Sequence, residues 1–319
     1  MKKFGYVACF LFATVFSIFN QALCEPAQKH KFTKDEMVSI CFDKLKKLHL
    51  QEIDFDKINK SSLQYDYKYD ERFRKKFFVI KRKENGFEME IDPDIGCVRG
   101  LMITGIRDYK TLYKEGAKPK KRKEEILAQA KNYLKIINGA IPSNAFLSEA
   151  EYVLSFWRDA TYSYEGEWAV YWERREGGYK YFNDSIIIYI NERTGLSKYG
   201  YNFYSQYCPP KQIHITKEKA IEIAKKNVNK IIRSPFFAGA YHGCKAGDIQ
   251  STELMIVNPN YSHSIVSLTK GMDIFNNPSA RLAWVVDFAC IDNKTGNKTT
   301  TPGVMVFIDA ETGEVLGGG

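Results

Sequence analysis

The feature that most constrains this chain is a turn written three times. Ile91-Asp92-Pro93-Asp94-Ile95-Gly96, Ile190-Asn191-Glu192-Arg193-Thr194-Gly195 and Ile308-Asp309-Ala310-Glu311-Thr312-Gly313 each run isoleucine, acid or amide, three residues, glycine. An acid or amide side chain can bond the backbone just ahead of it, and glycine supplies the left-handed residue that ends such a turn. The three glycines lie roughly one hundred residues apart, the size of a small domain. The chain therefore reads as tandem copies of one plan. Asp309 and Glu311 could suggest calcium, but too few oxygen ligands cluster there, and the turn role is preferred.

Each copy opens on an amphipathic helix and closes on a hairpin. In the first, Thr33 and Glu36 make a capping box, and Met37, Ile40, Cys41, Leu45 and Leu48 follow at helical spacing. After an irregular stretch, residues 77–80 form a strand, Asn85-Gly86 turns the chain, and residues 87–91 return. In the second, Ile126, Leu127, Ala130, Tyr133, Leu134 and Ile137 make the stripe and Asn138-Gly139 stops it. Residues 168–172 and 186–190 are its strands. In the third, Ala220, Ile221, Ala224, Val228 and Ile231 follow Thr216, and residues 284–288 and 304–308 are the strands. This copy is longer because residues 234–280 intervene, a stretch that reads mostly as loop with one strand near 254–257. The expected fold is α+β: tandem repeats of one helix packed on an antiparallel β-sheet, with boundaries 25–118, 119–208 and 209–319. The return strands 186–190 and 304–308 are apolar at both parities, which predicts cover on both faces and an interface between repeats.

The residues ahead of the first repeat read as an export signal. Lys2 and Lys3 precede an apolar run from Phe4 to Phe19, and Ala22 and Cys24 suit the small-residue cleavage positions. The cut is expected after Cys24, making residues 1–24 a signal peptide and the product secreted, periplasmic or held in the cell envelope. A lipoprotein acylated on Cys24 is the rival, with Leu23 a poor fit to that machinery. The apolar run is short of the roughly 20 residues that cross a bilayer. The mature chain keeps Cys41, Cys97, Cys208, Cys244 and Cys290, an odd number. Cys41 and Cys97 share a repeat and could pair. Cys208, Cys244 and Cys290 could supply a second pair, or the cysteines could all be small buried residues.

A net charge of +9 suits acidic surfaces or an acidic partner. Nucleic acid is not expected, because the basic runs 72–76, 81–83 and 118–123, with Phe73 the one aromatic among them, match no RNA- or DNA-binding motif. There is no HExxH, no GxSxG and no phosphate-cradling GxxxxGK[ST]. His242-Gly243-Cys244 is the one thiol–imidazole neighbourhood, and a glycine-flanked loop is its plainer reading. No catalytic residue, metal or cofactor is assigned. The segment joining the second and third repeats is tyrosine-rich. Tyr199, Tyr201, Phe203, Tyr204 and Tyr207 could form a recognition surface, since such rings offer contact area at low entropy cost, or could fill the gap between repeats.

The third repeat resembles a PepSY domain through residues 215–224, then Ala283-Trp284-Val285-Val286, then residues 304–316 with their Ile308-Asp309-Ala310-Glu311-Thr312-Gly313 turn. The second matches more loosely, through Trp168-Ala169-Val170-Tyr171-Trp172 and Thr194-Gly195. The first matches in outline, with Phe77-Phe78 in place of the tryptophan. The resemblance implies a helix packed on an antiparallel sheet, similar to cystatin folds, and a role in restraining or chaperoning a peptidase. It transfers no inhibitory residue. The expected function is an exported, non-enzymatic binding protein that engages a peptidase or an extended peptide, with an exposed sheet edge as one route. An envelope protein that binds polysaccharide or wall material, and an enzyme of unrecognised type, are the alternatives.

Overall fold

The computed structural model describes residues 31–50, 58, 62–70, 75–82, 86–103, 119–153, 167–192, 194–203, 205–207, 212–234, 241, 243–260, 279–299 and 303–319. The export signal, Tyr204, Cys208 and His242 lie outside the described residues. No described helix is long and apolar enough to cross a membrane.

The fold is α+β, and each repeat is one helix followed by four strands. The first holds α1 (Lys34–Lys47), β1 (Gln64–Asp70), β2 (Lys75–Lys81), β3 (Phe87–Ile91) and β4 (Val98–Ile103). The second holds α2 (Lys123–Asn138), β5 (Ala145–Val153), β6 (Glu167–Glu176), β7 (Tyr179–Asn191) and β8 (Gly195–Tyr201). A short β9 (Gln206–Tyr207) leads into α3 (Lys217–Ile232), β10 (Cys244–Val257), β11 (Ser279–Asp292), β12 (Val304–Asp309) and β13 (Val315–Gly318).

Neighbouring strands within a repeat are antiparallel, and the three sheets merge into one with the order β1-β2-β3-β4-β8-β7-β10-β11-β12-β13. Two seams join them. At the first, β4 lies antiparallel to β8 with Leu101 opposite Tyr199. At the second, β7 lies parallel to β10, with Lys180 opposite Met255 and Tyr181 opposite Ile256. β7 serves both seams because it is long: its last residues pair with β8 and its first with β10. β6 also pairs with β7, β5 with β6, and β9 with β11.

The helices start and stop where local chemistry requires. The Thr33 Oγ1 accepts from the Glu36 N–H at 3.3 Å, and the Glu36 carboxylate accepts the Thr33 N–H at 2.7 Å. Thr216 caps α3 by accepting from the Lys219 N–H. Gly139 ends α2 at a φ of 82°. Each helix then lays its apolar stripe on its sheet. Met37, Cys41 and Leu45, then Ile126, Ala130 and Leu134, are buried in one continuous core beneath the first two repeats. Ala220, Ala224, Val228 and Ile231 head a separate core in the third.

The repeated turn also locks each helix to its hairpin. Asp92 Oδ1 accepts from the Asp94 N–H, Asn191 Oδ1 from the Thr194 N–H, and Asp309 Oδ1 from the Glu311 and Thr312 N–H groups. The closing glycines all take a positive φ, 65°, 88° and 76°. The residue after the acid or amide then grips the chain entering the helix. Pro93 O accepts from the Phe32 N–H, and Ala310 O accepts from the His214 and Ile215 N–H groups. In the second repeat the Glu192 carboxylate does this, accepting from the N–H groups of Lys120 and Lys121. The tryptophan closes the same joint: the Trp284 indole donates to Ile215 O at 2.7 Å and the Trp168 indole to Glu192 at 2.8 Å. Register places Trp168 opposite Ile190, Trp284 opposite Ile308, and Phe78 opposite Ile91, so Phe78 alone takes the tryptophan's place in the first repeat. With its Oδ1 held by the turn and its Oδ2 2.8 Å from Arg281, Asp309 serves the turn and is not a calcium ligand.

The turn glycine is required on two counts. At Gly96 a Cβ would meet the Phe32 ring at 2.8 Å, at a φ that L-residues avoid. Gly96→Ala is expected to cost about 2 kcal/mol, read as a lower urea midpoint with unchanged slope. An unchanged midpoint would show the joint to be soft.

The structure revises several expectations. The irregular stretches of the first two repeats contain β1 and β5. The third repeat's insertion contains β10, running from Cys244 to Val257 rather than 254–257 alone. Lys245, Gly247 and Asp248 interrupt its apolar pattern, and register shifts around Ile249 absorb them. β12 is covered on both faces as expected: Val304, Val306 and Ile308 pack under α3, while Phe307 packs on Phe182 of β7 at 4.9 Å between ring centroids. β7 alternates instead. Ile186, Ile188 and Ile190 are buried, but Ile187 and Tyr189 keep surface, since Tyr189 pairs hydroxyl to hydroxyl with Tyr171 on a half-solvated face. Cys244 bonds to Cys290, whereas Cys41 and Cys97 are free thiols. The disulfide occupies the Cys244 sulfur, which removes the His242–Cys244 dyad.

Candidate functional site

The tyrosine-rich segment runs along the first seam and then crosses towards the third repeat. Tyr199 is buried, 1% exposed, at the seam between β4 and β8. Its hydroxyl accepts from the Asn138 amide at 2.7 Å, and burial pushes its pKa well up. Tyr199 thus fills the seam and offers no face to a ligand. Tyr201 and Phe203 are half-buried, with ring centroids 4.9 Å apart. Arginines cover them: Arg99 lies 4.5 Å from the Tyr201 centroid, and Arg174 lies 5.7 Å from Phe203 and 4.1 Å from Tyr181. Such stacks rigidify a junction. Tyr207 contributes backbone, pairing with Ala280 of β11; Tyr204 lies outside the described residues. Of the three described side chains, Tyr199 is turned inward and Tyr201 and Phe203 lie under arginines.

Beneath these rings sits a buried polar network. The Arg174 guanidinium donates to Asp184 at 2.9 Å and to Ser205 O at 2.7 Å. Asp184 also accepts from the Ser205 hydroxyl at 2.7 Å, and that oxygen accepts from the Asn258 amide at 2.7 Å. Burial raises the Asp184 pKa despite the hydrogen bonds of Ser205 and Arg174, which pull it down. The network ties the second repeat to Asn258 of the third. Apart from the Arg174 Nε, which is buried without a hydrogen-bond partner, its groups are taken up by the chain's own atoms, and it reads as structure. Among the described residues, no three His, Cys, Asp or Glu side chains are placed to hold a metal ion.

The sheet's edges differ in a way the sequence does not announce. The outer edge of β13 is closed by Asn260, whose N–H donates to Leu316 O and whose side chain bonds both the N–H and the O of Gly318. β5 carries a register shift between Leu147 and Glu149, a bulge of the kind that discourages further pairing. β1 has neither defence. It pairs with β2 in unbroken register over its whole length, and among the described strands nothing pairs with its other edge. Tyr67 and Tyr69 are 49% and 53% exposed. Tyr65, Tyr67 and Tyr69 share the helix side, where Tyr65 and Tyr67 contact Phe78, and Asp66, Lys68 and Asp70 share the other. An open groove runs between α1 and β1, lined by Lys34, Asp35, Val38, Ser39, Phe42 and Tyr65.

β1 is thus the candidate site, and the sequence reading missed it. The signal was present as a strict period-two alternation over Gln64–Asp70. Charges, not aliphatic residues, separate the rings, so the run lacks the apolar stripe that marks the other strands.

No family model matches this chain, and no curated protein does. Two solved structures are similar to it. The Bacillus megaterium YpeB C-terminal domain is 11% identical with a TM-score of 0.42, covering 91% of this chain and 98% of that one. An uncharacterized protein from Eubacterium rectale ATCC 33656 is 13% identical with a TM-score of 0.38, covering 89% of this chain and 82% of its own. Likenesses at this level carry no argument about activity.

Proposed function

We propose that this chain is an exported, non-catalytic binding protein of the PepSY type that holds an extended peptide on the edge of β1. The observation that carries the reading is the edge itself: regular, exposed, unbulged and bordered by a groove. A strand added there would satisfy outward N–H and C=O groups, while alternate side chains met the groove and the charged face. The Cys244–Cys290 disulfide supports export, because disulfides persist in oxidising compartments. The indole bonds of Trp168 and Trp284 support the PepSY reading, since they give the motif's tryptophan a fixed structural job. A peptidase presenting a loose segment is the partner class which that resemblance suggests.

The test uses residues 25–319 and a reduced, alkylated globular protein as the unfolded polypeptide. Immobilised polypeptide should retain the chain, and amide exchange should slow over residues 64–70. Tyr67→Ala with Tyr69→Ala should weaken retention at least tenfold. Retention that leaves β1 exchange unchanged and ignores both tyrosines would overturn the reading.

A further inference from the structure

The chemistry of the bound segment can be read from the molecule's own second seam. β1 opens the four strands of the first repeat, and β10 opens those of the third. Among the described strands nothing occupies the outer edge of β1, but the outer edge of β10 is occupied by the start of β7. The third repeat therefore shows what a strand looks like when it sits on this edge.

The two edges correspond in register, counted from the joint position. Tyr67 stands opposite Phe78 as Leu254 stands opposite Trp284. Asp66, opposite Val79, then matches Glu253, opposite Val285; Lys68 matches Met255 and Tyr69 matches Ile256. On β10 the guest is Tyr179-Lys180-Tyr181-Phe182, running parallel. Tyr181 is buried with Ile256 and Leu282. Lys180 points to the opposite face, where its ammonium lies 3.1 Å from Glu253. Phe182 packs on that same face against Phe307.

The first repeat keeps both halves of this arrangement. Rings line the helix side at Tyr65, Tyr67 and Tyr69, and a carboxylate stands at Asp66 where Glu253 stands in the third. The Lys68 ammonium is drawn aside to Glu90 at 3.3 Å, so it does not neutralise Asp66. Asp66 itself accepts the Tyr67 N–H at 2.7 Å and carries no ion pair with any described residue.

Resting on the peptide-binding reading above, we infer that the segment taken by β1 carries one basic residue flanked by aromatic ones, lies parallel to β1, and sets its basic residue on Asp66 and the following aromatic residue beside Tyr69. Charge complementarity at Asp66, with Lys68 held by Glu90, favours this occupant, and the chain's own β7 is its template.

The probe is a labelled peptide with the sequence of residues 178–184, Gly-Tyr-Lys-Tyr-Phe-Asn-Asp, titrated into residues 25–319 by fluorescence anisotropy. The expected result is saturable binding, at least tenfold weaker when the peptide's lysine is replaced by glutamate. Asp66→Lys should reverse that preference. A paramagnetic tag on the peptide's N-terminus should broaden signals near Gln64 and spare those near Asp70. Equal binding of the lysine and glutamate peptides, both still lost in the Tyr67→Ala, Tyr69→Ala variant, would overturn the charge pairing and leave the edge reading intact. Broadening near Asp70 would overturn the parallel orientation. Failure of both peptides with a chain that still retains unfolded polypeptide would overturn the whole pattern. Failure of peptides and polypeptide alike would remove the edge reading too.

Discussion

Arg174→Ala is expected to lower the unfolding free energy by about 3–5 kcal/mol, the range for breaking a buried ion pair from one side. The reason is what the truncation leaves behind. The Asp184 side chain is 0% exposed and has Arg174 as its cation at 2.9 Å. Removing the guanidinium leaves a buried carboxylate without its counter-charge, and also removes the donor to Ser205 O. The loss should depend on pH with a definite sign. Burial already raises the Asp184 pKa, and Arg174 is one of the groups that pull it down. Without Arg174 the pKa climbs further, so the folded variant takes up a proton that the unfolded chain, at the ordinary carboxylate pKa, holds less tightly. The variant's stability should therefore fall as pH rises through that widened window and recover as pH drops below it. Denaturant melts from about pH 4 to about pH 8 would show the wild type and variant converging towards acid. A pH-independent gap would mean that Asp184 finds another partner. The paired replacement Arg174→Met with Asp184→Leu should cost far less than Arg174→Ala alone, because no charge is then stranded.

Reducing the Cys244–Cys290 disulfide is the second large effect. The bond closes a loop whose ends are 46 residues apart in sequence. On the chain-entropy model a loop of that length stabilises by about 4 kcal/mol, acting mainly on the unfolded chain. At a few degrees per kcal/mol for a chain of this size, melting in reductant should begin about 10 °C lower. The loss should concentrate in the third repeat, where the bond ties the start of β10 to the end of β11 and so brackets the irregular stretch around Ile249. Amide exchange localises it: β10 and β11 should open first under reducing conditions, while the shared core of the first two repeats holds. Cys41 and Cys97 are already thiols, so reductant changes nothing there. Coincident melts with and without reductant would show that the loop is closed equally well by strand pairing.

Much of this architecture was legible in the chain, for identifiable reasons. The three helices were, because caps at Thr33 and Thr216, a stop at Gly139 and stripes of period 3.6 are all local. The closing turns were, because an acid or amide followed by a left-handed glycine is a complete local instruction. The insertion in the third repeat was not: β10 depends on β11 and β7 for its pairing, and its first half has charges and a glycine where a strand pattern would show alternation. The candidate site was missed for a related reason. A tyrosine-rich run drew notice at 199–207, where tertiary packing turns Tyr199 inward and lays arginines over Tyr201 and Phe203. The tyrosines that keep their surface, Tyr67 and Tyr69, stand on an edge, and sequence does not say which strands end up without a neighbour. Topology decides that, and it is settled by pairings between repeats.

Those pairings also set an order in time. β4 finds its outer neighbour in β8, and Tyr199 sits 101 residues beyond its hydroxyl's partner, Val98. A chain made or threaded from its N-terminus presents the first helix and hairpins well before β8 arrives, so for that interval the first repeat has two raw edges instead of one. Contacts this distant in sequence form slowly, and an unsatisfied strand is prone to wrong partners. The second repeat works as an internal escort: it closes one flank of the first with β8 and one flank of the third with β7. Shortening the chain before residue 195 should therefore yield a product that sticks to itself, while the 319-residue chain emerges with the β1 flank as one that no described strand covers.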